Sequence, residues 1–485
     1  MDTRFLQPGI IWDYFGEITQ IPRPSGKERA IKAYLLNFAA KHGLAAKEDD
    51  GGNILIVKDA AKGCENFPAV ILQSHMDMVA EKEASSNHNF ETDPIDAYVD
   101  GDWVKAKGTT LGADDGIGMA AQLAILSSGD MRHGRIEALF TSDEEVGMTG
   151  VRNMGDGLLT GKYFINLDSE EEGEVFIGCA GGERTIATFP FSVDVVSEKL
   201  FFFEVVVSGL NGGHSGGDIH RQFGNAIKIL ARYLDRLRQK TPLYLSEIEG
   251  GNLLNAIPRD ARAVCAVCYA DKETARVELN HFIAEMEDEL SAADQGFGMS
   301  LQSADDKNII DTLTANRLIG ALIAVPNGVI AMSRDMPGLV ETSTNLASIR
   351  TGKHSVVVGT SQRSSVNSMK AYIVSAVGNL FKLAGAEVQH GDSYPGWTPR
   401  PDSALLTAAK KSYRELYGDE LKVSAIHAGL ECGLILEKYP HLEMISCGPT
   451  MTDVHSPSEK LYIPSVERWW AFLVGLLKNM PEGVN

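Results

Sequence analysis

The stretch ILQSHMDMV, residues 71–79, ends an apolar run on His75 and Asp77. In an extended chain the side chains at i and i+2 share a face, so this ring and this carboxylate can meet. A carboxylate that fixes the far side of an imidazole is the usual partner of a metal-bound histidine. A partly buried histidine satisfied by a neighbouring acid has the same pattern, so the decision rests on the remainder of the chain. Four further stretches resemble the first. GTTLGADDGIG (108–118) places Asp114 and Asp115 in a glycine-rich turn before a helix, and FTSDEEVG (140–147) places Asp143, Glu144 and Glu145 after a strand. INLDSEEEGE (165–174) places Asp168 after an apolar strand, and GPTMTDVHSPSE (448–459) places His455 in a turn after another. Taken singly, either aspartate could cap a helix, the acids could form a solvated loop, and His455 could be a turn residue.

Taken together they favour chemistry. Acids crowded at converging strand ends repel one another and raise each other's pKa values, and a divalent cation removes that cost. Two histidines and several carboxylates exceed the three protein ligands of a catalytic zinc. They suit two metals ~3.5–4 Å apart with one carboxylate bridging. Neighbouring Glu144 and Glu145 cannot easily bind one ion in the same geometry, so one can be a ligand and the other a general base.

The elements that must position these residues read as an α/β sheet. Residues 52–59, 67–74, 135–142 and 162–168 have strand patterns, while 28–42 and 116–128 read as helices. Strands alternating with helices predict crossover connections, with ligands at the carboxyl ends of the strands. After CAGGER (179–184) the texture changes to long strand patterns (199–210, 261–270, 342–350, 354–365) with amphipathic helices at 225–237 and 367–385. This predicts an α+β module with helices on one face. SYPGWTPRP (393–401) is a Pro/Gly-rich junction, after which helix and strand alternate again. The expected layout is a catalytic α/β domain (1–183 and 395–485) interrupted by an inserted α+β domain (184–394).

The chain has 485 residues and a formal charge of −20, an acidity that argues against nucleic acid and anionic membranes as partners. The N-terminal stretch lacks the basic and apolar regions of a signal peptide. WWAFLVGLL (469–477) is too short to span a bilayer and reads as a core helix begun near Pro464. Six scattered cysteines read as reduced, which fits a cytoplasmic location.

The motifs HMDMV, GTTLGADDGIGMA, DEEVGM, NLDSEEEGE, GGHSGG, GGNLLNAIPR, HAGLECG and GPTMTDVHSP, in this order, resemble the dipeptidase branch of the di-zinc aminoacylase/carboxypeptidase family of metallopeptidases. The resemblance spans essentially the whole chain. It implies a zinc-peptidase-like catalytic domain with an inserted lid and dimerisation domain. One metal would be held by His75 and Asp168 and the other by Glu145 and His455, with Asp114 bridging. Glu144 would be the base that activates a metal-bridging water, and Asp77 would orient His75. The choice of Asp114 over Asp115 rests on the resemblance alone. The family's more general bridging motif carries a lysine two residues after the aspartate; here Gly116 stands there, as in the dipeptidase branch.

In the inserted domain the resemblance implies that His214 reaches the active site, often across a dimer interface, and stabilises the oxyanion. Asn255 and Arg363 would hold substrate, Arg363 by gripping the C-terminal carboxylate. HAGLECG is expected near the substrate terminus with no assigned chemistry. The implied activity is hydrolysis of dipeptides with a free N-terminus, with broad specificity that includes Xaa-His, in a homodimer. The ions implied are Zn2+, although His/carboxylate sites also accept Mn2+ and Co2+. Rival expectations are an N-acyl amino-acid deacylase or a tripeptide exopeptidase of the same family, and more remotely a silent peptide-binding scaffold.

Overall fold

The structure, a computed structural model, describes residues 5–480. The chain divides into two compact units. The first runs to Gly178 and resumes over Pro399–Ala425 and from Leu430 onward; the second is Cys179–Thr398 with Ile426–Gly429.

The first unit is built on an eight-stranded mixed sheet, in the order Ala45–Glu48, Ile54–Lys58, Ile136–Thr141, Val70–His75, Tyr163–Asn166, Glu443–Ser446, Glu174–Cys179, Lys422–Ile426. Its centre is parallel. Val70–His75 pairs with Ile136–Thr141 on one side and Tyr163–Asn166 on the other, and the last of these pairs with Glu443–Ser446. The register sets His75 beside Thr141, Gln73 beside Asn166, and Asn166 beside Ser446. The loops that leave these strands with Asp77, with Glu144 and Glu145, with Asp168 and with His455 therefore all start from one edge. Strands Val70–His75, Ile136–Thr141 and Tyr163–Asn166 are buried along their whole length, as expected of parallel strands covered on both faces.

Helix Ala113–Ser127 packs on the sheet and is itself covered by helix Gly9–Ile18. No local pattern predicts that second helix. Its glycines and bulky aromatic residues are poor helix formers. Burial of Ile11, Trp12, Phe15 and Ile18 along one stripe holds it instead. Helix Ile463–Lys478 begins at its proline as expected and buries Trp469, Phe472 and Leu473. Among the described residues no helix is long and apolar enough to cross a membrane. The six cysteines are not joined in disulfides.

The second unit has a nine-stranded antiparallel sheet. Alternate residues Phe203, Val205 and Val207 of strand Leu200–Ser208 join Ala263, Cys265 and Val267 of strand Ala261–Cys268 in one core, the period of two that a half-covered strand requires. Helices Ala226–Arg238, Lys272–Leu290, Thr312–Ala324 and Asn367–Leu383 close that core.

In the first unit Gln122, fully buried on helix Ala113–Ser127, donates to the carbonyls of Leu72 (2.7 Å) and Leu139 (3.1 Å) and accepts from Ser74 Oγ. It therefore ties the helix to both parallel strands just below the candidate site. Gln122→Leu removes the side-chain donor from both carbonyls and the acceptor from Ser74 Oγ, and should destabilise the protein by about 1–3 kcal/mol in urea unfolding.

Candidate metal centre and active site

The carboxyl edge of the parallel strands gathers His75, Asp77, Asp114, Glu144, Glu145, Asp168 and His455 in the first unit. Asp114 neighbours both histidines. Its Oδ1 lies 2.9 Å from His75 Nε2 and its Oδ2 lies 3.1 Å from His455 Nε2, so one carboxylate presents one oxygen to each histidine. His75 Nε2 is also 3.4 Å from Asp168 Oδ1, and His455 Nε2 is 3.0 Å from Glu145 Oε1. Two sets, His75 with Asp114 and Asp168, and Asp114 with Glu145 and His455, each bring one ligand atom per residue within 4.8 Å of the others; His75 with Glu144 and Glu145 forms a third.

Asp114 and Asp115, which the sequence alone could not separate, have different work. Both have non-helical backbone, so the regular helix begins after them. Asp115 turns inward, where its Oδ1 accepts from Gly118 N at 3.1 Å in the manner of an N-cap. Asp114 is left facing the two histidines. Asp143 and His455, which bracket the cluster on two other loops, both take left-handed backbone, with φ of 54° and 61°, an uncommon conformation for residues with a Cβ.

Asp77 is fully buried. Its Oδ1 is 3.4 Å from His75 Nδ1, the ring nitrogen that faces away from Asp114. It also accepts from Ser25 Oγ (2.8 Å) and from the backbone N–H groups of Glu144 (3.1 Å) and Glu145 (3.3 Å). Burial pushes its pKa up, but the His75 ring and these donors outweigh it and hold the carboxyl at about 2. Asp77 is thus an anion that faces the back of His75 and anchors the turn carrying both glutamates.

The remaining groups show the strain of crowded charge. Burial, then the neighbouring Asp168, Glu431 and Glu145 carboxylates, pushes Glu144 well above the ordinary carboxylate range, although the His75 ring opposes this. Burial and Asp114 do the same to Asp168 against the same ring. Hydrogen bonds to Asp114 and Glu145 push His455 up to about 11. Glu145 Oε1 is buried yet lacks a hydrogen bond of good geometry, as does His75 Nδ1. Imidazole nitrogens and carboxylate oxygens converging in this way fit divalent cations.

A polar floor underlies the cluster. Gln73 Nε2 donates to Glu431 Oε2 (2.8 Å) and Thr141 Oγ1 (3.1 Å), Thr141 Oγ1 donates to the same Glu431 oxygen (2.7 Å), and Asn166 Nδ2 donates to Gln73 Oε1 (2.6 Å). Burial raises Glu431 to about 7. Glu431 is the acid of HAGLECG, where the sequence assigned no chemistry; a lone acid among small residues was the available signal.

In the second unit, His214 Nδ1 accepts from the N–H groups of Gly217 (3.0 Å) and Gly216 (3.3 Å). That assigns the proton to Nε2. Burial, then the nearby Arg363 cation, lowers the His214 pKa, so the ring is a neutral donor. The loop is clamped by Ser215 N donating to Asn255 O (2.7 Å) and Ile257 N donating to Gly213 O (2.8 Å). Asn255 contributes here through its backbone, and its side chain is exposed. Arg363 is buried on strand Ser355–Ser364; its Nη1 donates to Tyr394 OH (3.0 Å), while its Nε has no partner. His427, also from HAGLECG, sits beside it with Nε2 2.7 Å from Ser343 Oγ.

Burial, reinforced by Arg363, lowers His427 to about 3. An imidazole that stays neutral when folded but protonates when unfolded costs stability only in acid. The penalty is absent above the unfolded value of about 6.5 and grows as pH falls toward 3. His427→Gln should therefore narrow the loss of stability between pH 7.5 and 5.5 by about 1 kcal/mol, read from urea midpoints at both pH values.

Known proteins share this architecture. The family model for peptidase family M20/M25/M40 matches residues 71–479. The cytosol non-specific dipeptidase of Escherichia coli (strain K12) is 40% identical over 477 residues, covering 98% of each chain. The crystal structure of aminoacylhistidine dipeptidase from Vibrio alginolyticus matches with a TM-score of 0.95 and 40% identity, over 100% of this chain and 99% of that one. A tripeptidase from Staphylococcus aureus shares the fold at 17% identity, with a TM-score of 0.57 and 98% of each chain covered. With a family match that runs from the strand bearing His75 past the turn bearing His455, the chain belongs to peptidase family M20/M25/M40.

Proposed function

We propose that the protein is a metal-dependent dipeptidase that cleaves dipeptides with a free N-terminus, with broad side-chain tolerance that includes Xaa-His. The observation that carries this reading is the Asp114 carboxylate, which offers one oxygen to His75 and the other to His455. That is the arrangement a bridging ligand requires. The names of the two 40%-identical relatives, a non-specific dipeptidase and an aminoacylhistidine dipeptidase, supply the substrate class.

In this reading His75 and Asp168 would hold one divalent ion and Glu145 and His455 the other, with Asp114 shared between them. When bound, the ions would acidify a water and polarise the scissile carbonyl. Glu144 would act as the carboxylate, ionised once bound cations offset the neighbouring acids, and would take a proton from the attacking water. As the new C–O bond forms and the C–N bond breaks, Glu144 returns that proton to the leaving amine. Asp77 keeps His75 oriented and holds the backbone of Glu144 and Glu145 in place. His214 donates from Nε2 to the developing oxyanion. Arg363 pairs with the C-terminal carboxylate, and Asn255 fixes the substrate backbone. The donor set suits Zn2+, with Mn2+ and Co2+ as substitutes. The name of the cytosolic relative supports a cytoplasmic location, and the family resemblance supports a homodimer.

The deciding experiment is hydrolysis of Gly-His, β-Ala-His, Leu-Gly, N-acetyl-Leu and Leu-Gly-Gly after chelation and again after zinc is restored. Zinc-restored cleavage confined to the free dipeptides is expected. Cleavage of N-acetyl-Leu or of Leu-Gly-Gly instead would make the protein a deacylase or a tripeptide exopeptidase. Glu144→Gln should lower kcat by about 10²–10⁴-fold while zinc content stays at the wild-type level. Arg363→Lys, which loses the fork, should lower kcat/KM by ~10-fold or more, expressed mainly in KM.

A further inference from the structure

Two buried charges beside the candidate centre have no part in the reaction described. Glu459 is 2% exposed. Its Oε2 accepts from the N–H groups of Leu111 (2.8 Å) and Gly112 (3.1 Å), and its Oε1 from those of Ala113 (2.8 Å) and Asp114 (3.4 Å). One carboxylate thus gathers four consecutive peptide donors, ending at the proposed bridging residue. Glu459 lies four residues after His455, in a turn closed by its own N–H on Ser456 O at 3.0 Å.

Arg23, also 2% exposed, works from the other side of the same loop. Its Nη2 donates to Gly112 O, and its Nη1 donates to Asp77 O and to Met76 O (3.2 Å). Met78 N returns a bond to Arg23 O at 3.1 Å. The space is fully used. A Cβ on Gly112, whose φ is +70°, would lie 2.7 Å from Arg23 Nη2, and one on Gly116 would meet the same atom at 2.7 Å.

The two charges form a relay of backbone clamps. Glu459 joins the His455 turn to the Asp114 loop. Arg23 joins the Asp114 loop to the His75–Asp77 turn. Asp77 joins that turn to the Glu144–Glu145 turn through two N–H groups. We propose that Glu459 and Arg23 are positioning residues of the metal centre, fixing the segments that carry His455, Asp114 and His75 relative to one another. The inference rests on the two-metal reading above. Asp114 can offer one oxygen to each histidine only if its own backbone cannot rock, and sites of this kind tolerate ~0.5 Å of error. Opposite charges on the two faces of one loop also offset each other's cost of burial.

The test uses Glu459→Gln, which keeps the shape but turns an NH2 group toward peptide N–H groups, and Arg23→Lys, which removes the fork. Glu137→Gln is the control. Glu137 is equally buried and caps Thr160 N (2.8 Å) and Gly161 N (3.1 Å) through the same kind of bond, away from the cluster. Zinc affinity by chelator competition, the visible spectrum of the Co2+-loaded protein, and kcat and KM on Gly-His are compared. Glu459→Gln is expected to bind zinc about 10–100-fold more weakly at one site or both, with a shifted cobalt spectrum. Its kcat should fall while KM stays within about twofold. Glu137→Gln should lose stability alone. Wild-type affinity and an unshifted spectrum in Glu459→Gln would overturn the proposal, as would an equal loss of affinity in Glu137→Gln. Should Glu459→Gln not fold, Arg23→Lys is judged by the same criteria. A wild type that binds fewer than two zinc ions overturns the two-metal reading instead, and shows itself before any variant is compared.

Discussion

Keeping several carboxylates close together out of water is the constraint on which the first unit is built. Asp77, Asp114, Glu144, Glu145 and Asp168 meet at one strand edge, and mutual repulsion plus lost hydration pushes Glu144 and Asp168 toward the neutral form. Such a cluster is tolerable when cations neutralise it and when each acid is pinned so that it cannot swing away. The parallel register supplies the pinning at its coarsest level, because His75, Thr141, Asn166 and Ser446 end neighbouring strands in step.

Finer control comes from bonds that use side-chain charge on backbone. Asp77 accepts peptide N–H groups of the glutamate turn, and Glu459 accepts those of the Asp114 loop. Beneath them Gln73, Thr141, Asn166 and Glu431 satisfy one another across three strands. A buried network connected across strands in this way favours one arrangement, and that matters more to a metal centre than the net stability it contributes.

Much of this cluster was legible in the sequence because its residues are chemically distinctive and sit where an apolar strand ends. His75, Glu144, Glu145, Asp168 and His455 announce themselves in that way. Asp114 and Asp115 could not be told apart, since adjacent acids differ only in where a non-helical backbone aims them. Arg23 and Glu459 left no mark because they act on peptide groups, which every residue has. The helix Gly9–Ile18 was invisible for a related reason: its propensity is poor and tertiary burial creates it. The short excursion Ile426–Gly429, which separates His427 from Glu431 four residues later, depends on long-range contacts that no local pattern encodes.

The two histidines differ sharply in their access to water. The His75 side chain is 1% exposed and that of His455 is 50% exposed. An ion seated on the His75 side is walled in by strand ends, whereas one on the His455 side borders solvent. The two positions would therefore exchange with their surroundings on different timescales. If two ions are held as proposed above, the position beside His455 is the one that would respond first to the free-metal level of the medium.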